Sequence, residues 1–362
     1  MKTEEIARDL ISRSTVSPVT SEDSFAHLIQ MLKKHDIKSE LREYGGVHNL
    51  YAGFGDESVC FNGHMDVVPP GNGWTSDPFD PVVTDGRLYG RGASDMKGGL
   101  AAQIAAFLEL KERGHSGASL MVVGDEEQGG RRGTSAMLQD LREEGRLPKV
   151  GVIGEPTDLD IQVGMRGIVW LDIHVFGDEY HASKPRLGDN ATSDLPEVLK
   201  TLNGLEMSHS EDDKLPKPTS EVTAINTGDV YNSTPSRITV GMDIRYVRSQ
   251  SPKTIVRDVE SALSEVEADY RVEVRSHSGE PFLLENRGFQ EAAVSAVESV
   301  TGDTPEAVTS GGASDGRFFA REDIPFVEIG LDTEEVHVAN ESCSVHRMRQ
   351  LKESYVQLAE RI

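Results

Sequence analysis

The chain has 362 residues, more than one hydrophobic core usually organises, so two domains are expected. With 37% hydrophobic residues and no apolar run long enough to cross a bilayer, it reads as a globular protein and not a membrane protein. Asp and Glu number 61 against 37 Lys and Arg, and a formal charge of −24 repels nucleic acid and anionic membranes, which removes both as expected partners. The basic residues are mostly arginine, 24 against 13 lysines. A host with a salty cytoplasm, where screening relieves self-repulsion, is one reading of this balance; an ordinary acidic protein is the other. Only Cys60 and Cys343 occur, which excludes a disulfide framework and a site built on three or four thiolates. The opening Met1-Lys2-Thr3-Glu4-Glu5 lacks the apolar core of a signal peptide, and the expected compartment is the cytoplasm.

Amphipathic helical patterns come first, near 4–12 and 24–34. Short apolar runs then alternate with helical stretches: a strand at 59–61, an apolar helix at 98–110, a strand at 119–123, a polar helix near 133–144 and a strand at 150–153. This order predicts a mostly parallel sheet with helices on both faces. Beyond residue 165 the pattern changes. Over 168–176, Val169, Leu171, Ile173 and Val175 alternate with the residues of the other face, as in a half-exposed strand. A helix near 195–205, strands near 221–226 and 238–246, a helix near 252–266 and a strand near 270–275 come next, in the βαββαβ order of a ferredoxin-like unit. After 277 the chain returns to helix–strand alternation and ends in a helix near 345–362. The expected organisation is therefore a catalytic α/β domain over 1–165 and 278–362, interrupted by an α+β domain over 166–277. The polar stretch 208–219 reads as a loop.

Candidate ligands gather after the predicted strands, where open α/β sheets form their binding crevice. The first strand leads into Gly63-His64-Met65-Asp66, the second into Gly124-Asp125-Glu126-Glu127 and the third into Gly154-Glu155-Pro156. If the chain stays extended, His64 and Asp66 lie on one side of it. Gly90-Arg91-Gly92-Ala93-Ser94-Asp95 leads into the apolar helix. Taken singly these signals are weak: a lone histidine is more often structural, a Glu pair is normally solvated, and Asp95 could simply cap its helix. Their convergence on one sheet edge carries more weight. Clustered carboxylates repel, and a divalent cation relieves that cost. Mixed imidazole and carboxylate donors suit zinc, with cobalt or manganese as alternatives.

These residues resemble, in order and over nearly the whole chain, the co-catalytic di-zinc amidohydrolases that include succinyl-diaminopimelate desuccinylase, acetylornithine deacetylase, aminoacylase and glutamate carboxypeptidase. The matching elements are Gly63-His64-Met65-Asp66-Val67-Val68-Pro69, Trp74 with Asp77-Pro78-Phe79, and Gly90-Arg91-Gly92 with Asp95-Met96-Lys97-Gly98-Gly99. They continue through Asp125-Glu126-Glu127, Gly154-Glu155-Pro156, Gly177 with His181-Ala182-Ser183 and Pro185, Asn232 with Pro235, and His337 with Asn340-Glu341. The resemblance implies a zinc-peptidase-like catalytic domain with an inserted ferredoxin-like dimerisation domain, working as a homodimer. It implies two divalent ions, zinc or else cobalt, bridged by Asp95, with His64 and Glu155 completing one shell and Glu127 and His337 the other. Asp66 would orient His64 through its far ring nitrogen, Glu126 would be the general base, and His181 would reach across the dimer to the oxyanion. A cis peptide between Asp95 and Met96 is also implied. Arg166, Asn232 and Arg245 match positions that hold a small anionic N-acyl amino acid, a job suited to bidentate arginines.

The run Ser310-Gly311-Gly312-Ala313-Ser314-Asp315-Gly316-Arg317-Phe318 looks most like the desuccinylase branch, and Gly312 and Ser314 are the substrate contacts it implies. Ala313, Leu331 and Thr333 depart from that branch, where threonine, proline and asparagine are usual. That keeps acetylornithine deacetylase and a broad N-acyl-amino-acid hydrolase or dipeptidase as alternatives. Two other classes are weighed. Gly312-Ala313-Ser314-Asp315-Gly316 fits the serine-hydrolase elbow G-x-S-x-G, with Asp332 and His337 after it in triad order, but this leaves His64, Asp95, Glu127 and Glu155 without a purpose. A non-catalytic relative would lack Glu126 or a ligand, and neither is missing.

Overall fold

The computed structural model describes residues 2–184, 188–210, 215–228, 230–284, 286–310, 312 and 314–362; Pro185, Gly311 and Ala313 of the sequence motifs lie outside the described residues. The chain divides into two compact units, Met1–Val163 with Leu284–Val308 and Ser314–Ile362, and Gly164–Leu283 with Thr309–Ala313. The two crossover segments pair antiparallel, Phe282 with Met165 and Leu283 with Gly164. The second unit is therefore wider at both ends than the 166–277 expected, beginning at Gly164 and running to Leu283.

The first unit is built on a mixed sheet in the order Lys38–Tyr44, Val47–Gly55, Gly117–Val123, Val59–His64, Val150–Ile153, Phe326–Glu328 and Ile161–Met165. The four strands from Gly117–Val123 to Phe326–Glu328 are parallel, and both flanks are antiparallel. All six residues of Val59–His64 are buried, as expected of a parallel strand covered on both faces. Helix Lys97–Glu112 is apolar on nearly every side and lies between helices Thr3–Ile11 and Val345–Ala359. The first hairpin escaped the sequence reading because Lys38–Tyr44 is a polar edge strand without a buried face. Because the central strands share one direction, His64, Val123, Ile153 and Glu328 all end at the same sheet edge. Close backbone contact sharpens that edge: a Cβ on Gly99 would sit 2.6 Å from the Gly154 carbonyl oxygen, so only glycine lets the helix start meet the strand exit that carries Glu155.

The second unit is a four-stranded antiparallel sheet, in the order Thr219–Asn226, Arg237–Tyr246, Gly167–Phe176 and Tyr270–Ser278. With helices Ala191–Asn203 and Pro252–Leu263 it has the ferredoxin-like connection order. Val169, Leu171, Ile173 and Val175 point into its core beside Ile238, Val240, Met242, Ile255 and Val259, while Trp170 is exposed on the opposite face. Among the described residues no helix is long and apolar enough to cross a membrane.

Candidate active site

Three strand exits and two loops of the first unit bring the predicted ligands together. Asp95 lies between two imidazoles, with Oδ1 3.0 Å from His64 Nε2 and Oδ2 3.2 Å from His337 Nε2. Glu155 stands 3.8 Å from His64 Nε2, and Glu127 3.1 Å from His337 Nε2. Donor atoms of His64, Glu126 and Glu155 fall within 4.8 Å of one another, as do those of His64, Asp95 and Glu127. The Asp95–Met96 peptide is cis. His64 is buried, whereas the His337 side chain is 46% exposed and its residue takes a positive φ of 63°.

The electrostatics of this cluster favour a cation. Burial pushes Glu126 well above the usual carboxylate range, and the charge of Asp315 adds to the effect. Burial does the same to Glu155, against the pull of His64 and with further repulsion from Asp95. Hydrogen bonds from His337 and His64 outweigh burial at Asp95 and hold its carboxyl far below the ordinary range. At His64 burial opposes protonation, but the Asp95 bond and the charges of Glu155 and Asp66 prevail and raise it. The bonds to Asp95 and Glu127 lift His337 to about 10. Four carboxylates (Asp95, Glu126, Glu127 and Glu155) thus face two imidazoles, a donor set rich in oxygen and negative charge that fits divalent cations.

Asp66 is fully buried, but its contacts differ from the expectation. The far nitrogen of His64 lies 2.8 Å from the Asp66 backbone carbonyl and 3.6 Å from its carboxylate, so the carbonyl is the closer partner. The carboxylate instead accepts the backbone N–H groups of Glu126 at 3.2 Å and Glu127 at 3.1 Å, holding the turn that presents both glutamates. Burial pushes its carboxyl up to about 6, partly offset by His64 and Ser17.

Glu341 does comparable work for Asp95. Its Oε1 accepts from the Ser94 and Asp95 backbones at 2.8 and 3.0 Å, and its Oε2 from Gly92 N at 3.0 Å and Arg91 Nη1 at 2.6 Å. Arg91 and Glu341 are both buried, and the Trp74 ring covers the Arg91 guanidinium at 5.2 Å. Glu341→Ala strands that guanidinium in the interior, and a loss of about 3–5 kcal/mol is expected. Denaturant unfolding monitored by circular dichroism checks it.

Ser314 is not an exposed nucleophile. It is buried, and its hydroxyl donates to the Glu328 carboxylate while accepting from Gly316 N at 3.0 Å. His337 is turned to Asp95 and Glu127, and Asp332 to Arg87 and Arg347, so the elbow triad is not assembled. Leu331 is buried in the core, and Thr333 spends its hydroxyl on Asp158. Glu328 went unnoticed in the sequence. Burial raises its carboxyl to about 7, and its place at the end of a parallel strand was the signal that could have found it.

The remaining candidates lie in the second unit. His181 is exposed, its Nδ1 2.8 Å from the Ser183 hydroxyl, and Ala182 N donates to the Asn232 carbonyl at 2.9 Å, which makes His181 and Asn232 neighbours. Arg166 donates to the Lys217 carbonyl at 2.8 Å. Arg245 lays its fork on Asp243 at 2.6 and 3.0 Å, and its positive charge adds to burial in lowering the pKa of Arg166. Gly312 is exposed.

The model of peptidase family M20/M25/M40 matches residues 60–361. The chain belongs to this family. It is 35% identical to a succinyl-diaminopimelate desuccinylase of Rhodospirillum centenum, with 98% of this chain and 96% of that one covered. It is 36% identical to a succinyl-diaminopimelate desuccinylase of Parvibaculum lavamentivorans over 85% and 81% of the two chains. Among solved M20 structures, a metallo-carboxypeptidase of Sulfolobus solfataricus superposes with a TM-score of 0.83 at 17% identity, covering 99% of each chain. A dinuclear metal-binding M20 peptidase of Bacillus subtilis gives 0.69 at 16% identity, covering 99% of this chain and 96% of that one. These two likenesses establish a shared fold.

Proposed function

We propose that this M20 protein is a metal-dependent amidohydrolase that cleaves N-succinyl-diaminopimelate into succinate and diaminopimelate. The observation that carries the reading is the Asp95 carboxylate, which offers one oxygen to each of two imidazoles with a second carboxylate beside each. The desuccinylase relatives that align along nearly the full chain support the substrate. His64, Asp95 and Glu155 would hold one divalent ion, and Asp95, Glu127 and His337 a second. Zinc is the choice the imidazole–carboxylate set favours. Such ions supply Lewis acidity, polarising the amide carbonyl and acidifying water. Glu126, left free of that shell, takes one proton as water oxygen bonds to the carbonyl carbon, and returns it to the nitrogen as the C–N bond breaks. A carboxylate not spent on an ion keeps its oxygens free for that proton.

The second unit is the dimerisation module in this reading, with His181 serving the oxyanion of the partner's site. Its edge strand Thr219–Asn226 is exposed, and Val230 and Tyr231 stand out in solvent beside Asn232. Light scattering is expected to give twice the 39.6 kDa chain mass. Turnover of N-succinyl-diaminopimelate, N-acetylornithine and a set of N-acyl amino acids and dipeptides, with zinc or cobalt supplied, tests the substrate. The succinyl compound should have the highest kcat/KM, and a preference for N-acetylornithine would move the protein to the deacetylase alternative.

Adaptation to salt belongs to the same proposal. Arg42 reaches Glu40, Asp140 and Glu144, and Arg146 reaches Glu40, Glu57 and Glu144, so single arginines each serve several carboxylates on a surface of net charge −24. Lowering salt lengthens the range of the remaining repulsion. Thermal unfolding should therefore move to lower temperature as salt is withdrawn, and a midpoint indifferent to salt overturns the idea.

A further inference from the structure

The segment from Arg13 to Val19 runs along the catalytic edge of the sheet as a strap. Val67 N donates to the Thr15 carbonyl at 3.0 Å, Ser17 N to the Val67 carbonyl at 3.0 Å, and Val19 N to the Gly124 carbonyl at 2.7 Å. Thr15 Oγ1 donates to the Met65 carbonyl at 2.6 Å, Gln128 Nε2 to the Ser17 carbonyl at 3.0 Å, and Lys97 Nζ to the Arg13 carbonyl at 2.8 Å. The strap therefore joins the strand exit of His64, the turn of Glu126 and Glu127, and the start of the helix after Asp95. Most of these bonds tie backbone to backbone or a side chain to a backbone carbonyl. One is different: Ser17 Oγ donates to Asp66 Oδ2 at 2.6 Å.

We propose that Ser17 is a positioning residue for hydrolysis, its hydroxyl fixing the Asp66 carboxylate and, through it, the turn that presents Glu126 and Glu127. The inference rests on the roles proposed for those two glutamates. Asp66 Oδ2 receives two donors, the Ser17 hydroxyl and Glu127 N, while Oδ1 receives Glu126 N. A carboxylate can turn about its last bond, and two donors on one oxygen resist that turning better than one. With Ser17 in place both oxygens stay directed at successive N–H groups, and the glutamate side chains leave the turn in fixed directions. Without it, Asp66 keeps its charge and its burial but loses the one hydroxyl that donates to it among the described residues. Outer partners of this kind commonly change activity or metal affinity by ~10–100-fold.

Ser17→Ala, Ser17→Thr and Thr15→Val separate positioning from plain structural support. Thr15→Val removes a bond of the same strap that does not reach Asp66. Ser17→Ala is expected to lower kcat by ~10–100-fold with KM unchanged, and to weaken the second zinc ion in calorimetric titration by about tenfold. Ser17→Thr, which keeps the hydroxyl, should restore both. Thr15→Val should lower the melting temperature and leave kcat and zinc affinity near wild type. Ser17→Ala within about twofold of wild type in kcat and zinc affinity overturns the proposal, as does equal impairment of Ser17→Thr and Ser17→Ala, or a matching kcat loss in Thr15→Val. If the wild type hydrolyses none of the N-acyl substrates, the proposed function fails, and the zinc titrations alone still judge Ser17.

Discussion

Replacing Glu126 with glutamine is expected to lower kcat by about 10²–10⁴-fold while zinc uptake stays at the wild-type level. The side chains are nearly equal in volume, so the pocket is not disturbed, and the backbone N–H that Glu126 gives to Asp66 is unchanged. What disappears is the oxygen able to accept a proton from water and release it to nitrogen. Its neighbour Glu127 faces His337 and, in the proposed function, would bind an ion, which gives adjacent glutamates of identical chemistry different fates. Glu127→Gln should accordingly impair zinc binding as well as kcat. Measuring turnover and metal content on both variants decides the division of labour. A Glu126→Gln enzyme within about tenfold of wild type removes this residue from proton transfer.

Much of this cluster could be read from the sequence because most of its candidate ligands sit just past a short apolar strand. A parallel strand buried on both faces is an unbroken apolar run, and the residues at its C-terminal exit lie at the binding edge. His64, Glu127 and Glu155 were therefore visible as candidates once the runs before them were recognised. The supporting contacts were much less visible. Nothing in the spacing of Ser17 and Asp66 shows that they meet, because 49 residues separate them and the strap has no periodic pattern. Glu341 is plain as part of a motif, yet its job of fastening the Gly92–Asp95 backbone depends on a loop closure across 246 residues. The fold shows the same division. In the second unit the strand Gly167–Phe176 alternates clearly, and the strands lie within one or two residues of their expected starts and ends in most cases, whereas Lys38–Tyr44, polar on both sides, gave no signal. Long-range hydrogen bonds between polar groups leave little trace in local sequence, while burial of apolar faces leaves a strong one.

Removing metal is expected to abolish turnover and lower the melting temperature of the first unit together. The cluster gathers Asp95, Glu126, Glu127 and Glu155 around His64 and His337, and the energetic cost of that crowding falls when cations share the site. A ligand at 100 times its Kd stabilises the folded state by about 2.7 kcal/mol per site, which for a unit of this size corresponds to a shift on the order of 5–10 °C. Dialysis against a chelator should therefore give an inactive protein with a lower first transition, and zinc or cobalt should restore activity and melting temperature in step. Two variants then distinguish a shared ligand from a private one. Asp95→Ala removes the carboxylate that gives one oxygen to each imidazole, so uptake of both ions should suffer. Glu155→Ala removes a group near His64 alone, so one ion should remain at His337 and Glu127. If Asp95→Ala still takes up two ions per chain with wild-type affinity, Asp95 does not bridge them. The two His-carboxylate pairs would then have to act as independent sites.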